Sequence, residues 1–297
     1  PPQESSIPNL QYSFVDETCP QPSRDDLEIA DVVAGHSSKL DSYFSFRCIK
    51  FGMFLKRIPD NRKGKAEIEF YKRIATEQHD FNVTDFLPKF FGTAESVGID
   101  VRQHYCCLED LEAGFVRPST IDIKLGMSSS APDASPEKRA RERGKWPPQA
   151  CLGFRVLGIR TYNCSTNSFH RKSGGFGKSL SFDDAMLKAL IAFLFDGNSL
   201  RRDVLPSLGR QVNDLLLWIQ GQTAFEFYGS SIVLIYDGHP GSTVSPRVGF
   251  VDFANWREQQ PGSIQNKSCA EGLHRILESL RALRIAGDLC EDIAKHT

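Results

Sequence analysis

Residues 118–126 read Pro-Ser-Thr-Ile-Asp-Ile-Lys-Leu-Gly, and their strict alternation is the tightest constraint in the chain. Ile121, Ile123 and Leu125 alternate with Thr120, Asp122 and Lys124, which is the period of a half-buried β-strand. The apolar set is expected to face a core, leaving Asp122 and Lys124 side by side on the other face. Pro118 and Gly126 punctuate the two ends. A carboxylate and an ammonium two residues apart on one strand face can act on one substrate. They can equally form an ion pair on a solvated face, and spacing alone does not separate the two.

The rest of the 297-residue chain mixes strands and helices throughout. Branched and aromatic residues over 43–49 and 51–58 predict a hairpin. A polar turn over 59–65 precedes a helix expected over 66–78, with Ile68, Tyr71, Ile74 and Ala75 on one face. Further strands are expected over 104–108, 151–162, 224–236 and 247–253. Ser181 reads as the cap of a helix that runs to Phe195 and stops at Gly197. Residues 208–220 predict another helix, and Leu273, Ile276, Leu277 and Leu280 give the last one an apolar stripe. Residues 1–30, rich in Pro, Ser, Gln and acids, read as a flexible lead. Helices do not alternate regularly with strands, which favours a two-lobed α+β architecture over a doubly wound sheet.

An apolar fraction of 40% and a charged fraction of 25% are those of a soluble globular protein. No apolar run approaches the roughly 18–20 residues needed to span a bilayer, and residues 1–30 lack the pattern of a signal peptide. Eight cysteines without Cys-x-x-Cys or zinc spacing read as reduced thiols of an intracellular protein. Vicinal Cys106 and Cys107 lie in a strand-like run and are expected on opposite faces. With a net charge of −1, attraction for polyanions must be local. Residues 137–145 supply it, with five cations in nine residues. On a helix, Lys138, Arg141 and Lys145 fall at i, i+3 and i+7 on one face. Alone, such a run is also compatible with a solvated face or a nucleic-acid patch.

Three common phosphate motifs are incomplete. Gly177-Lys178-Ser179 ends like a Walker A loop, but its first glycine is replaced by Lys172. Leu200-Arg201-Arg202-Asp203 hints at a protein-kinase catalytic loop, yet the metal-binding Asn is replaced by Leu208. Asp252-Phe253-Ala254 lacks the glycine of Asp-Phe-Gly, and no Gly-x-Gly-x-x-Gly opens the chain.

Pro-x-x-x-Asp-x-Lys-x-Gly, with Pro118, Asp122, Lys124 and Gly126 in the fixed places, resembles the signature of the inositol polyphosphate kinases. Further blocks resemble that family in its own order over roughly residues 32–255: Val33-Ala34-Gly35-His36, Phe54-Leu55-Lys56, Glu67-Ile68-Glu69-Phe70-Tyr71, Glu109-Asp110-Leu111, Leu152-Gly153-Phe154-Arg155-Val156, Phe227 through Ile232, and Val251-Asp252-Phe253. The resemblance implies an α+β, two-lobed kinase-like fold with antiparallel sheets and a small helical inositol-phosphate-binding segment at about 127–150. After the lead, an ATP-binding lobe is expected over 31–110 and a catalytic lobe over 111–297.

The same resemblance implies ATP and Mg²⁺. Lys56 would hold the nucleotide phosphates, oriented by Glu67 or its neighbour Glu69, and the backbone of Glu109 and Leu111 would bind adenine. Asp252, with Ser231, would hold Mg²⁺, as a phosphoryl-transfer site requires. Lys124 would bridge the γ-phosphate and the acceptor. Asp122 would orient or deprotonate the acceptor hydroxyl, or hold the ribose. Lys138, Arg141 and Lys145 would bind the inositol phosphate. The implied activity leans to a multikinase acting on tris- and tetrakisphosphates. A hexakisphosphate kinase making pyrophosphates is the alternative, favoured by Leu200–Asp203 and by Asp133-Ala134-Ser135. A catalytically silent inositol-phosphate-binding or scaffold protein is the rival from another class. Asn255, where the family usually has His, and a loose match over 267–273 keep it open. The expected setting is a monomer without membrane span or nucleic-acid partner, in the cytoplasm, the nucleus or both.

Overall fold

The computed structural model describes residues 7–33, 44–76, 85–98 and 102–285. The chain forms two compact units, Pro1–Gly114 and Phe115–Thr297. The division falls four residues beyond the one expected at 110/111. The resemblance block over 33–36 (apart from Val33), the start of the hairpin at Tyr43 and the helix end expected at Gln78 lie outside the described residues.

In the first unit, β1 (Asn9–Phe14), β2 (Glu28–Ile29), β3 (Phe46–Cys48), β4 (Met53–Ile58), β5 (Phe90–Val97) and β6 (His104–Glu109) form one sheet. Its order is β1-β5-β6-β4-β3-β2, antiparallel throughout. The expected hairpin is β3 and β4, joined through Gly52 in the left-handed region. Alternation sends Phe46, Cys48, Met53, Leu55, Tyr105 and Cys107 into one core cluster. Helix α1 (Arg62–Thr76) packs on β5, where Tyr71 stacks on Phe90 at 5.7 Å. It begins four residues before the expected start because Asn61 caps it, its Oδ1 accepting from the Lys63 amide at 2.9 Å. Cys107 joins the Leu55 cluster whereas Cys106 stands opposite Lys56, so the vicinal thiols do take opposite faces. Burial pushes the Cys106 thiol well up and Cys107 to about 12, leaving both protonated. The lead is not frayed over β1, which pairs with β5 from Asn9↔Val97 to Phe14↔Gly92. Leu10, Tyr12 and Phe14 pack against the core and anchor it.

The second unit contains β7 (Pro118–Leu125), α2 (Pro136–Gly144), α3 (Gln149–Leu152), β8 (Phe154–Asn163), β9 (Ser168–Lys172), α4 (Gly174–Ser179), α5 (Ala185–Leu194), α6 (Leu205–Gly221), β10 (Phe225–Phe227), β11 (Ser231–Asp237), β12 (Arg247–Val251), β13 (Trp256–Glu258) and α7 (Gln265–Ile285). Five strands form an antiparallel sheet in the order β12-β11-β7-β8-β9, and β10 pairs with β13. Ile121, Ile123 and Leu125 are buried, and α5 and α7 pack on β7. Helix α6 covers β12 and α7. The outermost strand, β9, is largely exposed.

Two turns interrupt strands that read as continuous. The run over 151–162 becomes a strand only at Phe154, because α3 ends at Gly153 with φ 70°. The run over 224–236 breaks at Gly229, φ 77°, separating β10 from β11. Ser181 does not cap α5; its hydroxyl donates to Asp184, which occupies the cap position. The start of β7 is fixed by Asp237, buried and accepting from the amides of Val116, Arg117 and His239 and from the Ser242 hydroxyl. Burial works against this carboxylate, but those donors outweigh it and hold its pKa below the usual value. Among the described residues no helix is long and apolar enough to cross a membrane.

Helix α7 reaches the sheet only because two glycines meet. A Cβ on Gly272 would lie 2.2 Å from the Gly153 carbonyl oxygen and 2.9 Å from its carbon. Gly272→Ala must force α7 away from α3 and β7, at a cost of about 1–3 kcal/mol. Urea titration of the variant is expected to show an earlier midpoint at unchanged slope, and an unchanged midpoint would mean that α7 is not held at this point.

Candidate active site

The sheet of the second unit writes a polar row across three strands. Lys124 on β7 is directly opposite Ser231 on β11 and Arg155 on β8. Directly opposed residues share a sheet face, and neighbouring strands run about 4.8 Å apart. The apolar partners in the same strands are buried, so Asp122 and Lys124 share the opposite, half-buried face as expected. Lys124 Nζ donates to the Gly229 carbonyl at 2.8 Å, which ties the ammonium to the turn between β10 and β11. Ser231 is fully buried, and its hydroxyl has no hydrogen-bond partner.

Ser231 is in turn opposite Val251, the last residue of β12, and Asp252 follows directly. Asp252 has φ 70°, the left-handed region that few side chains other than Asn and Asp enter. The turn is held from both sides. The Ser230 hydroxyl donates to the Asp252 carbonyl at 2.9 Å, and Phe253 is fully buried against Phe227 and Phe250. Trp256 closes it, its backbone amide donating a hydrogen bond to the Phe253 carbonyl at 3.2 Å. Asn255 is half-buried within this turn. No group of three His, Cys, Asp or Glu capable of holding a metal occurs among the described residues. One carboxylate beside an unsatisfied hydroxyl nonetheless suits Mg²⁺, which takes one or two protein carboxylates and fills its shell with phosphate oxygens and water.

In the first unit, Lys56 on β4 and Glu67 on α1 form an ion pair of 2.7 Å. Glu67 is 2% exposed, whereas Glu69 is exposed, so helix phase selects Glu67 as the partner. Glu109 ends β6, its amide donating to the Lys89 carbonyl at 2.8 Å. Leu111 lies in the turn that follows, closed by the Ala113 amide on the Asp110 carbonyl at 2.9 Å. Arg47 locks that turn, contacting Asp110 at 2.7 Å and Glu112 at 3.0 Å.

The basic run does form a helix. Ser135 caps α2 by accepting from the Lys138 amide, Pro136 opens it, and buried Trp146 roots its far end on Phe154. Lys138, Arg141 and Lys145 fall on one side of the helix, as their spacing requires. Exposure differs across that side: Lys138, Glu142 and Lys145 are half-buried while Arg141 is exposed, which puts Arg141 at its solvent edge. Lys145 Nζ pairs with Glu142 at 2.7 Å, and the other Glu142 oxygen is 4.0 Å from the Arg155 guanidinium. The block Leu152–Val156 stands out in the sequence without a role for Arg155; its register with Lys124 supplies one.

The Asp-x-Lys strand and the Asp252 turn fall within one recognisable pattern. A profile described as "Inositol polyphosphate kinase" matches residues 105–284. The chain belongs to the inositol polyphosphate kinase family. Human inositol polyphosphate multikinase is 29% identical over 198 residues, 65% of this chain and 47% of that protein. The rat multikinase is 31% identical over 202 residues, 65% of this chain and 50% of that one. Mouse inositol hexakisphosphate kinase 3 is 36% identical over 146 residues, 48% of this chain and 37% of its own length. The chain thus spans half or less of the length of these relatives. The fold is also that of a solved S. cerevisiae inositol phosphate multikinase in complex with ADP and Mn²⁺, with a TM-score of 0.63 at 19% identity over 78% of this chain and 98% of that one. A second solved inositol phosphate multikinase gives 0.61 at 22% identity over 73% and 99%.

The backbone at Asp252 can be tested apart from any activity. Asp252→Asn keeps a side chain that tolerates φ 70°, whereas Asp252→Ala does not. The alanine variant is expected to be about 1–2 kcal/mol less stable than the asparagine variant in chemical denaturation. Equal stabilities would mean that the turn relaxes at no cost.

Proposed function

We propose that this chain is an ATP- and Mg²⁺-dependent inositol polyphosphate kinase of the multikinase kind, transferring the γ-phosphate of ATP to a hydroxyl of an inositol tris- or tetrakisphosphate. The observation that carries the reading is the row Ser231–Lys124–Arg155 in register beside Asp252. Phosphoryl transfer needs little covalent help from a protein. It needs cations at the travelling charge, a carboxylate for the metal and a held acceptor. Lys56, oriented by Glu67, is assigned to the nucleotide phosphates, and the backbone of Glu109 and Leu111 to the adenine. Asp252, with the Ser231 hydroxyl, would hold Mg²⁺, whose charge offsets that of the phosphates. Lys124 is assigned to the γ-phosphate on its way to the acceptor. Asp122, two residues along the same face, accepts the hydrogen of the attacking hydroxyl and so fixes its aim. Arg155, whose role was unforeseen from the sequence, adds a buried cation beside half-buried Lys124.

The features that pointed to a hexakisphosphate kinase have other occupations. Asp133 pairs with Arg257 and Ser135 caps α2. Arg201 grips Asp203 through two bonds, of 2.9 and 2.7 Å, and donates to the Asp237 carbonyl at 2.9 Å. These residues brace loops, which leaves the multikinase reading as the better supported. The two multikinase alignments also cover more of this chain than the hexakisphosphate kinase one.

Incubation with Mg-ATP and a panel of inositol phosphates, with the products separated, tests the activity. Conversion of tris- and tetrakisphosphates is expected, with Asp252→Asn folded but slowed at least roughly 10²–10³-fold in kcat. No product from any member of the panel would overturn the reading in favour of a silent binding protein. The helix gives a separate test. Lys138→Ala with Lys145→Ala should raise KM for the inositol phosphate at least tenfold, since each charge-assisted bond contributes about 1.5–3 kcal/mol. KM for ATP should barely move, and Arg141→Ala alone should have the smallest effect. An inositol phosphate KM untouched by the double variant would make α2 a solvated face.

A further inference from the structure

One acid sits among the cations of the basic segment. Glu142 is half-buried on α2, with Lys145 Nζ at 2.7 Å from one carboxylate oxygen and an Arg155 nitrogen at 4.0 Å from the other. Burial works against the ionised carboxylate, but the hydrogen bond from Lys145 and the charges of Lys145, Arg155 and Lys124 outweigh it, so its pKa lies below the usual value. Arg155 is the less satisfied partner. Its side chain is 6% exposed, and its Nε and Nη1 donate to nothing. A buried guanidinium with two idle donors is expensive in a folded protein unless those donors serve a ligand.

Two cations therefore pair with a single carboxylate, Arg155 and Lys145 from the end of α2, and Lys124 adds its charge beside them as the cross-strand neighbour of Arg155. We propose that Glu142 is an internal counter-anion, neutralising part of the Lys124–Arg155–Lys145 cluster when no ligand is bound and yielding its place to a phosphate group of the ligand. The identity of that ligand as an inositol phosphate rests on the kinase reading; the preference of the cluster for phosphate does not. Two consequences follow from the charges. Glu142 weakens binding, because a phosphate must approach a carboxylate and take over its partners. It also makes affinity depend steeply on ligand charge, because only a strongly anionic group competes with a carboxylate already in place. Glu142 is thus a specificity-determining residue acting by competition. When product leaves, the carboxylate recaptures the cations and spares Arg155 an unpaired state.

Calorimetric titration of the full chain and of Glu142→Gln tests this, using inorganic tripolyphosphate and, separately, inositol tris-, tetrakis- and hexakisphosphates. The glutamine variant is expected to bind tripolyphosphate roughly tenfold more tightly, the effect of removing one nearby like charge in a partly buried site. Its gain among the inositol phosphates should grow with the number of phosphates on the ring. A carboxylate that merely braces α2 predicts a lower Tm with equal or weaker tripolyphosphate binding, and that result in a folded variant overturns the proposal. Should Gln prove poorly tolerated, Glu142→Ser must give the same tightening. Tighter tripolyphosphate binding without phosphorylation of any inositol phosphate keeps the counter-anion and sinks the kinase activity. Unchanged tripolyphosphate binding in a variant that phosphorylates inositol phosphates with the wild-type KM does the reverse.

Discussion

A slip of one residue between β7 and either neighbour would turn Lys124 toward the helical layer and carry Ile123 out to the polar face. Side chains alternate strictly along a strand, so register is as much a functional variable as a structural one. Here the lock is apolar. Ile121, Ile123 and Leu125 are buried beneath a layer that includes α5 and α7, and no neighbouring register keeps all three covered. Asp237 holds one end of β7 through Val116 and Arg117, and the Gln149 side chain holds the other through the Gly126 carbonyl at 2.9 Å. The row Ser231–Lys124–Arg155 follows from that packing without any bond made for its own sake.

The metal-binding assignment depends on a different kind of support. Asp252 occupies a conformation that costs energy, and the cost is met by the buried rings around it, Phe227, Phe250 and Phe253, with Trp256 packed on Phe225. The aromatic residues of β10, β12 and β13 thus act as a mould for one backbone angle. The cation cluster is assembled from three separate pieces, a strand residue, a cross-strand neighbour and the last turn of a polar helix, which lets its charge be adjusted at one piece without disturbing the others.

What could be read from the sequence was what is local. The alternation over 118–126 placed Asp122 and Lys124 on one face because period two needs only adjacent residues. Helix phase could have chosen Glu67 over Glu69, since Glu67 falls at i−3, i−4 and i−7 from Phe70, Tyr71 and Ile74, all of them buried. Arg155 stood in a block legible in the sequence but carried no role, because its meaning lies in a partner 31 positions away. The shared side of Lys138, Arg141 and Lys145 followed from helix spacing, but the greater exposure of Arg141 did not, because α2 has no apolar stripe to say which edge faces solvent. The runs over 151–162 and 224–236 read as single strands because Gly153 and Gly229 sit inside otherwise apolar stretches, and a left-handed glycine leaves no trace in periodicity. Strand β1 was discounted for its polar flanks although Leu10, Tyr12 and Phe14 alternate plainly.

The outer edge of the second unit's sheet has a consequence for how the protein behaves in bulk. Strand β9 ends the sheet, and a terminal strand offers its unused amides and carbonyls to any passing chain. Arg171 and Lys172 occupy that edge, so two copies meeting edge to edge would bring like charges together. Charge repulsion of this kind is screened over about 8–10 Å at physiological salt and over far less in concentrated salt. Colloidal stability of this chain is therefore tied to ionic strength through two residues at the rim of the sheet, and storage in high salt would make the edge adhesive.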